Sequence, residues 1–495
     1  MFTHSNRLLV TQERYMPSFR LLFTTLLSTL LMFSAAVAAQ DHSRLPQMGT
    51  TGAGFMTIER ERVVGDYYMR QVRAQAPIIS DPVLDSYLAD LGNSLVVNSD
   101  NVRYPFNFFW INNAEINAFA FMGGYVGVHT GLIQEARNES EIAAVLGHEI
   151  AHVTQRHIVR RMQEQQRSMP MTIAGLVGSI LLGMASADAG AAGLYATMGM
   201  SQQSQISYTR LYEQEADRIG MSVLASAGFD PAGAPSFFGR LAEKYRYVSK
   251  PPEMLMTHPL PEARIADTRA RAENMRRVDV APSLDFHLAK ARVDARYTRA
   301  STQSELLDMA QSDNPMMQRY GQYALAIRAL DSGEAEKAER LLRPLLQESP
   351  RNRFYLDVQT DILLQQERFD DVLTLLREAY QRSPNEQVIT LNFANAAIEA
   401  GEIGLSIDLL RHFLLQNPEH VLALDLLTAA YERSANRAAM YETRAEALAL
   451  RGNFKLAIDQ LHTAHNHTNS DITHKRLNAR IDQLRAQLEQ AQNLM

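Results

Sequence analysis

The sequence predicts a mostly α-helical protein in two parts, an α+β domain with a small β-sheet followed by an α-helical solenoid. Three observations predict it. A short aromatic, β-favouring stretch interrupts an otherwise helical pattern between Phe106 and Val128. A paired-histidine helix follows directly, at His148 and His152. The last third then repeats its prolines and leucines at one fixed period, as stacked helix pairs do.

The chain has 495 residues, too many for one ordinary core. Its 46% hydrophobic and 21% charged residues are those of a globular protein. A formal net charge of -6 argues against nucleic acid as a partner. Cysteine is absent, so any metal must be held by histidine and carboxylate.

At the N-terminus, Arg14 and Arg20 precede the apolar run Leu21 to Phe33, which ends in Ser34-Ala35-Ala36-Val37-Ala38-Ala39. A basic flank, a short apolar core and a small-residue exit describe a secretory signal peptide, expected over residues 1–38. Export of the mature chain is the consequence.

Helical periodicity runs through Ile58, Val63, Tyr67, Met69 and Val72, and Asp81-Pro82 opens a second helix with Leu84, Leu88 and Leu91. Met122-Gly123-Gly124-Tyr125 reads as a hairpin turn between two strands. Asn138 is expected to cap a helix from Glu139 through His157, with Glu141 completing a capping box. From Ser168 to Thr209 the formal charge is confined to Asp188. That stretch suits either a membrane-embedded helix or a segment packed over the catalytic domain. Gly175, Gly178 and Gly183 interrupt it and favour the second reading, with membrane-surface contact left open.

Pro350, Pro384 and Pro418 lie thirty-four residues apart, and so do Leu342, Leu376 and Leu410. Ser349, Ser383 and Asn417 precede the prolines at helix ends. This is the tetratricopeptide period. A divergent unit follows at Gly452, Ala457 and Leu461, and Ile481 to Gln492 suits a terminal cap. The domains are expected at 39–300 and 301–495.

The chemistry concentrates in Gly147-His148-Glu149-Ile150-Ala151-His152. Residues four apart share a helix face, so both imidazoles can reach one ion. Glu149 stands beside the first ligand, placed to take a proton from attacking water. Apolar Ile142, Val145 and Leu146 bury the helix and fix the ligands. A catalytic zinc needs a third protein ligand, which Tyr212-Glu213-Gln214-Glu215-Ala216-Asp217 can offer. Glu213 can ligate the metal, or else pair with Arg210. Asp217 can take the free N–H of a ligating histidine. Glu215 is expected to point to solvent.

The pair His148-Glu-Ile-Ala-His152 and Glu213-Gln-Glu-Ala-Asp217 resembles the Ste24-like, or M48, zinc metallopeptidases across about residues 55–275. The resemblance implies a zincin-like fold, one Zn2+ per chain, Glu213 as third ligand and Glu149 as catalytic base. Asn117-Ala118-Phe119-Ala120 resembles the family's edge strand, expected to pair with extended substrate. Thr257-His258-Pro259 matches a His-Pro segment of the family. His258 either stabilises the oxyanion or fills the open metal position and holds the enzyme latent. Arg264 either contacts substrate carbonyls or lies on a helix surface.

A signal peptide, this domain and C-terminal repeats together resemble periplasmic, repeat-bearing family members of Gram-negative bacteria. That architecture implies an endopeptidase for unfolded or misfolded protein in outer-membrane protein quality control, its repeats contacting assembly machinery or client. A chaperone or scaffold with latent protease activity is the alternative. The cluster His462, His465 and His467 reads as a solvated inter-repeat loop rather than a second metal site.

Overall fold

The computed structural model describes residues 55–168, 202–249, 251–276, 278–384 and 386–492. The expected signal peptide, and all of the low-charge stretch from 169 to 201, lie outside the described residues. No helix among the described residues is long and apolar enough to cross a membrane.

Helix α1 spans Ile58–Gln75 and α2 spans Pro82–Val96. Asp81 caps α2 through the amides of Val83 and Leu84, with Pro82 at the position where a missing N–H costs nothing. A three-stranded sheet follows: β1 (Asn107–Ile111), β2 (Ala118–Phe121) and β3 (Tyr125–His129), in spatial order β1-β3-β2. β2 and β3 form the expected hairpin, while β1 runs parallel to β3. Gly123 and Gly124 both have φ near +85°, the left-handed region a tight turn demands and only glycine enters freely. β2 is thus an edge, its outer backbone groups unpaired by the sheet.

A short α3 (Thr130–Glu135) leads to α4 (Glu139–Thr154) and α5 (His157–Ser168). Two local expectations fail here. The helix expected to reach His157 stops at Thr154, because Arg156 takes φ +56° and redirects the chain. Asn138 caps α4 at the Glu141 amide, but Glu141 completes no capping box. Its carboxylate instead accepts from the Arg137 amide and from Arg240 at 2.7–2.8 Å, tying α4 to the later helix α7 (Gly233–Lys244).

Helix α6 (Gln202–Ser226) packs along α4. The short α8 (Glu253–Thr257) and α9 (Glu262–Asn274) close the domain. Ile142, Val145, Leu146 and Ile150 are fully buried on α4 in a core that also takes in Trp110 of β1 and Leu224 of α6.

From α10 (Leu284–Val293) onward the chain is helical pairs: α11 (Gln303–Ala310), α12 (Pro315–Asp331) and α13 (Ala335–Glu348), then α14 (Arg353–Gln365) and α15 (Phe369–Arg382). They continue as α16 (Gln387–Glu399), α17 (Ile403–Gln416), α18 (Val421–Arg433), α19 (Arg437–Leu450) and α20 (Phe454–Asn466). The long α21 (Asp471–Gln492) ends the array. The thirty-four-residue period recurs in three independent features. Asn352, Glu386 and His420 each cap a helix with a side-chain acceptor. Arg299, Gly333, Glu367, Gly401 and Ala435 all take positive φ at the turns. Ion pairs join Glu399 to Arg433, Glu442 to Arg476 and Glu446 to Arg480, one period apart.

One hydrophobic core runs from Ile79 into the first helix pairs, and Arg292 bridges Asp81 (2.6 Å) and Asp357 (2.7 Å) between the two regions. The end of the array returns to α1, where the Arg70 guanidinium lies 5.6 Å from the Phe454 ring centre. His462 and His465 lie on α20 and His467 is its C-cap, so the expected loop is a helix end. They belong to no metal-binding cluster among the described residues.

Candidate metal centre

α4 presents His148 and His152 one turn apart, and α6 crosses it closely enough to bring Glu213 against both. The crossing depends on Gly147 and Gly220. A Cβ on Gly220 would lie 2.9 Å from the Gly147 carbonyl carbon and the His148 amide nitrogen. α8 delivers His258 to the same point.

The donor atoms of His148, His152, Glu213 and His258 all lie within 4.8 Å of one another. His148 Nε2 is 3.0 Å from His152 Nε2, 3.3 Å from Glu213 Oε2 and 3.3 Å from His258 Nδ1. Glu213 is 3.4 Å from His152 Nε2 and 3.1 Å from His258 Nδ1. Four donors tetrahedrally placed about 2.0–2.1 Å from a zinc ion would stand ~3.3 Å apart. The spacing therefore fits a small tetrahedral cation, with His258 at the fourth corner.

The electrostatics agree. Burial disfavours charge on His148, but Asp217 and Glu213 overcome it and raise its pKa to about 10, marking a place built to hold positive charge. Burial pushes His152 well below the usual histidine range and favours its neutral form. Glu213 is held well below the usual carboxylate range: burial opposes ionisation, and His258 and His148 outweigh it. Glu149 behaves oppositely. Burial raises its pKa, with only partial relief from His258, His148 and the Ala120 amide of β2. Its Oε1 is buried, has no hydrogen-bond partner and lies 3.6 Å from His258 Nε2. A carboxylate with a raised pKa under an edge strand is the arrangement a general base requires.

Asp217 Oδ1 lies 3.0 Å from His148 Nδ1. Three residues stand differently from expectation. Arg264, neither substrate-facing nor on a surface, is 3% exposed and grips two of the three carboxylates of α6, Glu213 and Asp217. It donates to Asp217 through Nε and Nη2 (2.7 Å each) and to Glu213 through Nη1 (2.8 Å). It, not the exposed Arg210, is Glu213's ionic partner. Three buried carboxylates, Glu149, Glu213 and Asp217, around one dication leave one negative charge to balance, which is the signal that could have pointed to a buried arginine. Glu215 is not left to solvent: it accepts from Arg160 at 2.9 Å and lies 3.3 Å from His157 Nε2. The hydrogen bond to His157 leads the causes that lower its pKa to about 2. His157 itself is buried, its Nδ1 3.0 Å from His152 Nδ1. Nothing in its sequence position marks it, because the turn at Arg156 that brings it back has no glycine.

The paired-histidine helix, the crossing carboxylate helix and the buried Glu149 define a metal-dependent peptidase. The chain belongs to peptidase family M48, whose model matches residues 82–272. It is 43% identical over 468 residues to the β-barrel assembly-enhancing protease of Escherichia coli K12, covering 94% of this chain and 96% of that one. The putative β-barrel assembly-enhancing protease of Vibrio cholerae is 43% identical over 459 residues, covering 92% and 95%. Likeness to the mitochondrial metalloendopeptidase OMA1 of Arabidopsis thaliana is 32% over 133 residues, 27% of this chain and 25% of that one.

Proposed function

We propose that the protein is a periplasmic zinc metalloendopeptidase that degrades misfolded or stalled outer-membrane proteins and assists their assembly. The observation that carries the enzymatic part is the donor set closed around one point beside Glu149, next to the edge strand β2. His148, His152 and Glu213 hold the metal, and Asp217 orients His148. The assembly role draws support from likeness, over nearly the whole chain, to proteins named for β-barrel assembly. The helical array is read as tetratricopeptide repeats that contact client or assembly machinery, and the thirty-four-residue period of its caps supports this. We set the division between domains near residue 300 and assign residues 1–38 to a signal peptide.

When bound, zinc supplies Lewis acidity to water and to the scissile carbonyl. Substrate adds to β2 as an extended strand, through backbone groups alone. Glu149 accepts the proton of the attacking water and returns it to the leaving amine. Arg264 keeps Glu213 and Asp217 ionised and fixed, so that neither competes with Glu149 for that proton. A second reading, a chaperone or scaffold with latent protease activity, is favoured by one observation: His258 Nδ1 fills the corner that water needs.

The test is cleavage of an unfolded model protein by the mature chain and by Glu149→Gln, with metal content measured in both. Cutting by the first alone, at equal zinc, supports the enzyme. Loss of at least ~100-fold is expected from removing a general base. No cutting by either, with zinc bound, favours the latent reading, and His258→Ala should then restore activity. Equal cutting by both would dismiss Glu149.

A further inference from the structure

Each ligating imidazole has a second nitrogen that must be satisfied. For His148 it is Nδ1, and Asp217 lies on it at 3.0 Å. The Nδ1 of His152 meets no carboxylate. It faces the Nδ1 of His157 at 3.0 Å, and the far nitrogen of His157 lies 3.3 Å from Glu215 Oε2.

We infer that His157 is a positioning residue of the metal centre, which relays the carboxylate of Glu215 to His152. This rests on the reading that His148, His152 and Glu213 hold a metal. Proton accounting leaves one arrangement. To offer its Nε2 lone pair to a cation, His152 must carry its proton on Nδ1. That N–H donates to His157 Nδ1, which therefore accepts. The proton of His157 then sits on Nε2 and donates to Glu215. Arg160 makes a further bond to Glu215 at 2.9 Å and anchors the carboxylate that starts the chain. The imidazole is fixed in plane by Tyr212, stacked at 4.7 Å between ring centres and 28° between planes. His157 is 3% exposed, so water is a poor substitute for it.

On this account α6 supplies three carboxylates on alternate residues with three tasks. Glu213 ligates, Asp217 orients His148 directly, and Glu215 orients His152 through His157. Outer partners of ligating histidines typically govern metal affinity by about 10–100-fold.

The test is zinc affinity of the mature chain, measured by competition with a chromophoric chelator. The variants are His157→Phe, His157→Asn, Glu215→Ala and His157→Phe with Glu215→Ala, each checked for fold by circular dichroism. Phe keeps the stacking but has no acceptor, so affinity should fall about 10–100-fold. Asn places its Oδ1 where Nδ1 stood but cannot reach Glu215, so its affinity should fall about as far as that of Glu215→Ala and less than that of His157→Phe. Glu215→Ala should weaken binding in the wild-type background and add nothing to His157→Phe. A ring that merely fills space predicts the reverse order, Phe tolerated and Asn damaging, and that result overturns the inference. So do additive effects of the two positions. If His157→Phe does not fold, Glu215→Ala and His157→Asn carry the test alone. A wild-type chain that binds no zinc would instead sink the metal reading itself.

Discussion

Between residues 55 and 300 the interior holds Glu61, Asp81, Glu141, His148, Glu149, His157, Glu213, Asp217, Arg264 and Arg292, all ionisable and all buried. From 301 to 492, Asp357 is the one buried aspartate, glutamate, histidine, lysine or arginine among the described residues. The repeat helices bury mostly leucine and alanine at positions that recur, so most interior contacts are apolar and have near copies one period away. In the catalytic region the buried groups are held by specific polar partners that recur nowhere else, as Arg264 is by Asp217 and Glu213. Deleting a side chain should therefore cost packing in one region and strand a charge in the other.

The largest contrast comes from Arg264→Ala. It removes the arginine that Glu213 and Asp217 share and leaves only His148 and His258 to compensate them, and breaking a buried pair from one side costs about 3–5 kcal/mol. Denaturant unfolding of the metal-free chain should show a loss in that range. Near-neutral stability would mean the carboxylates simply take up protons, and the comparison would weaken. Leu376→Ala, at a residue 1% exposed in the repeats, should cost about 2–5 kcal/mol by cavity formation. Hydrolysis of a short peptide should be unchanged in this variant, because no charge near Glu149 is disturbed. A fall in peptide turnover there would show that the two regions are coupled.

This division also explains what was legible in the sequence. Apolar periodicity exposed the helical array, and the His148–His152 spacing exposed the candidate ligands, because a helix converts spacing into a shared face. Glu213 and Asp217 were legible for the same reason. Arg264 and His157 were not, since they join the centre by tertiary contact and carry no periodic mark. Backbone conformation hid in a second way. The left-handed turn column reads Arg299, Gly333, Glu367, Gly401 and Ala435, so glycine announces it at two places of five. The expected capping box at Asn138 failed because the Glu141 carboxylate is taken by Arg240, over a hundred residues away from the cap, and by the Arg137 amide instead of the Asn138 amide.

That column supplies a smaller effect with opposite signs at equivalent sites. Left-handed backbone costs a residue with a Cβ roughly 1–2 kcal/mol, and glycine gives back part of this in unfolded-chain entropy. Ala435→Gly should then stabilise by about 0.5–1 kcal/mol and Gly401→Ala destabilise by a similar amount. A Cβ on Gly401 would meet nothing within 4 Å, so the measurement isolates the backbone term. Equal signs for the two would show that the turns are not equivalent.

An effect that appears only at acid pH concerns His420, the capping residue whose counterparts are Asn352 and Glu386. Burial, with Arg73 adding to it, lowers its pKa to about 4, and its Nδ1 accepts from the Ala423 amide at 3.2 Å. Above pH 6.5 the ring is neutral in folded and unfolded chains, and stability does not depend on it. As pH falls from 6.5 toward 4, the unfolded chain takes a proton that the folded chain refuses, so stability drops; below about 4 the loss is complete. His420→Asn keeps a cap acceptor without a titrating group. Its stability should match the wild type at pH 8 and exceed it increasingly down to pH 4.5, by denaturant unfolding of both chains at each pH. Parallel profiles would mean that the cap opens before the ring must charge. The repeats would then tolerate a buried polar group by local fraying, which the catalytic region cannot do.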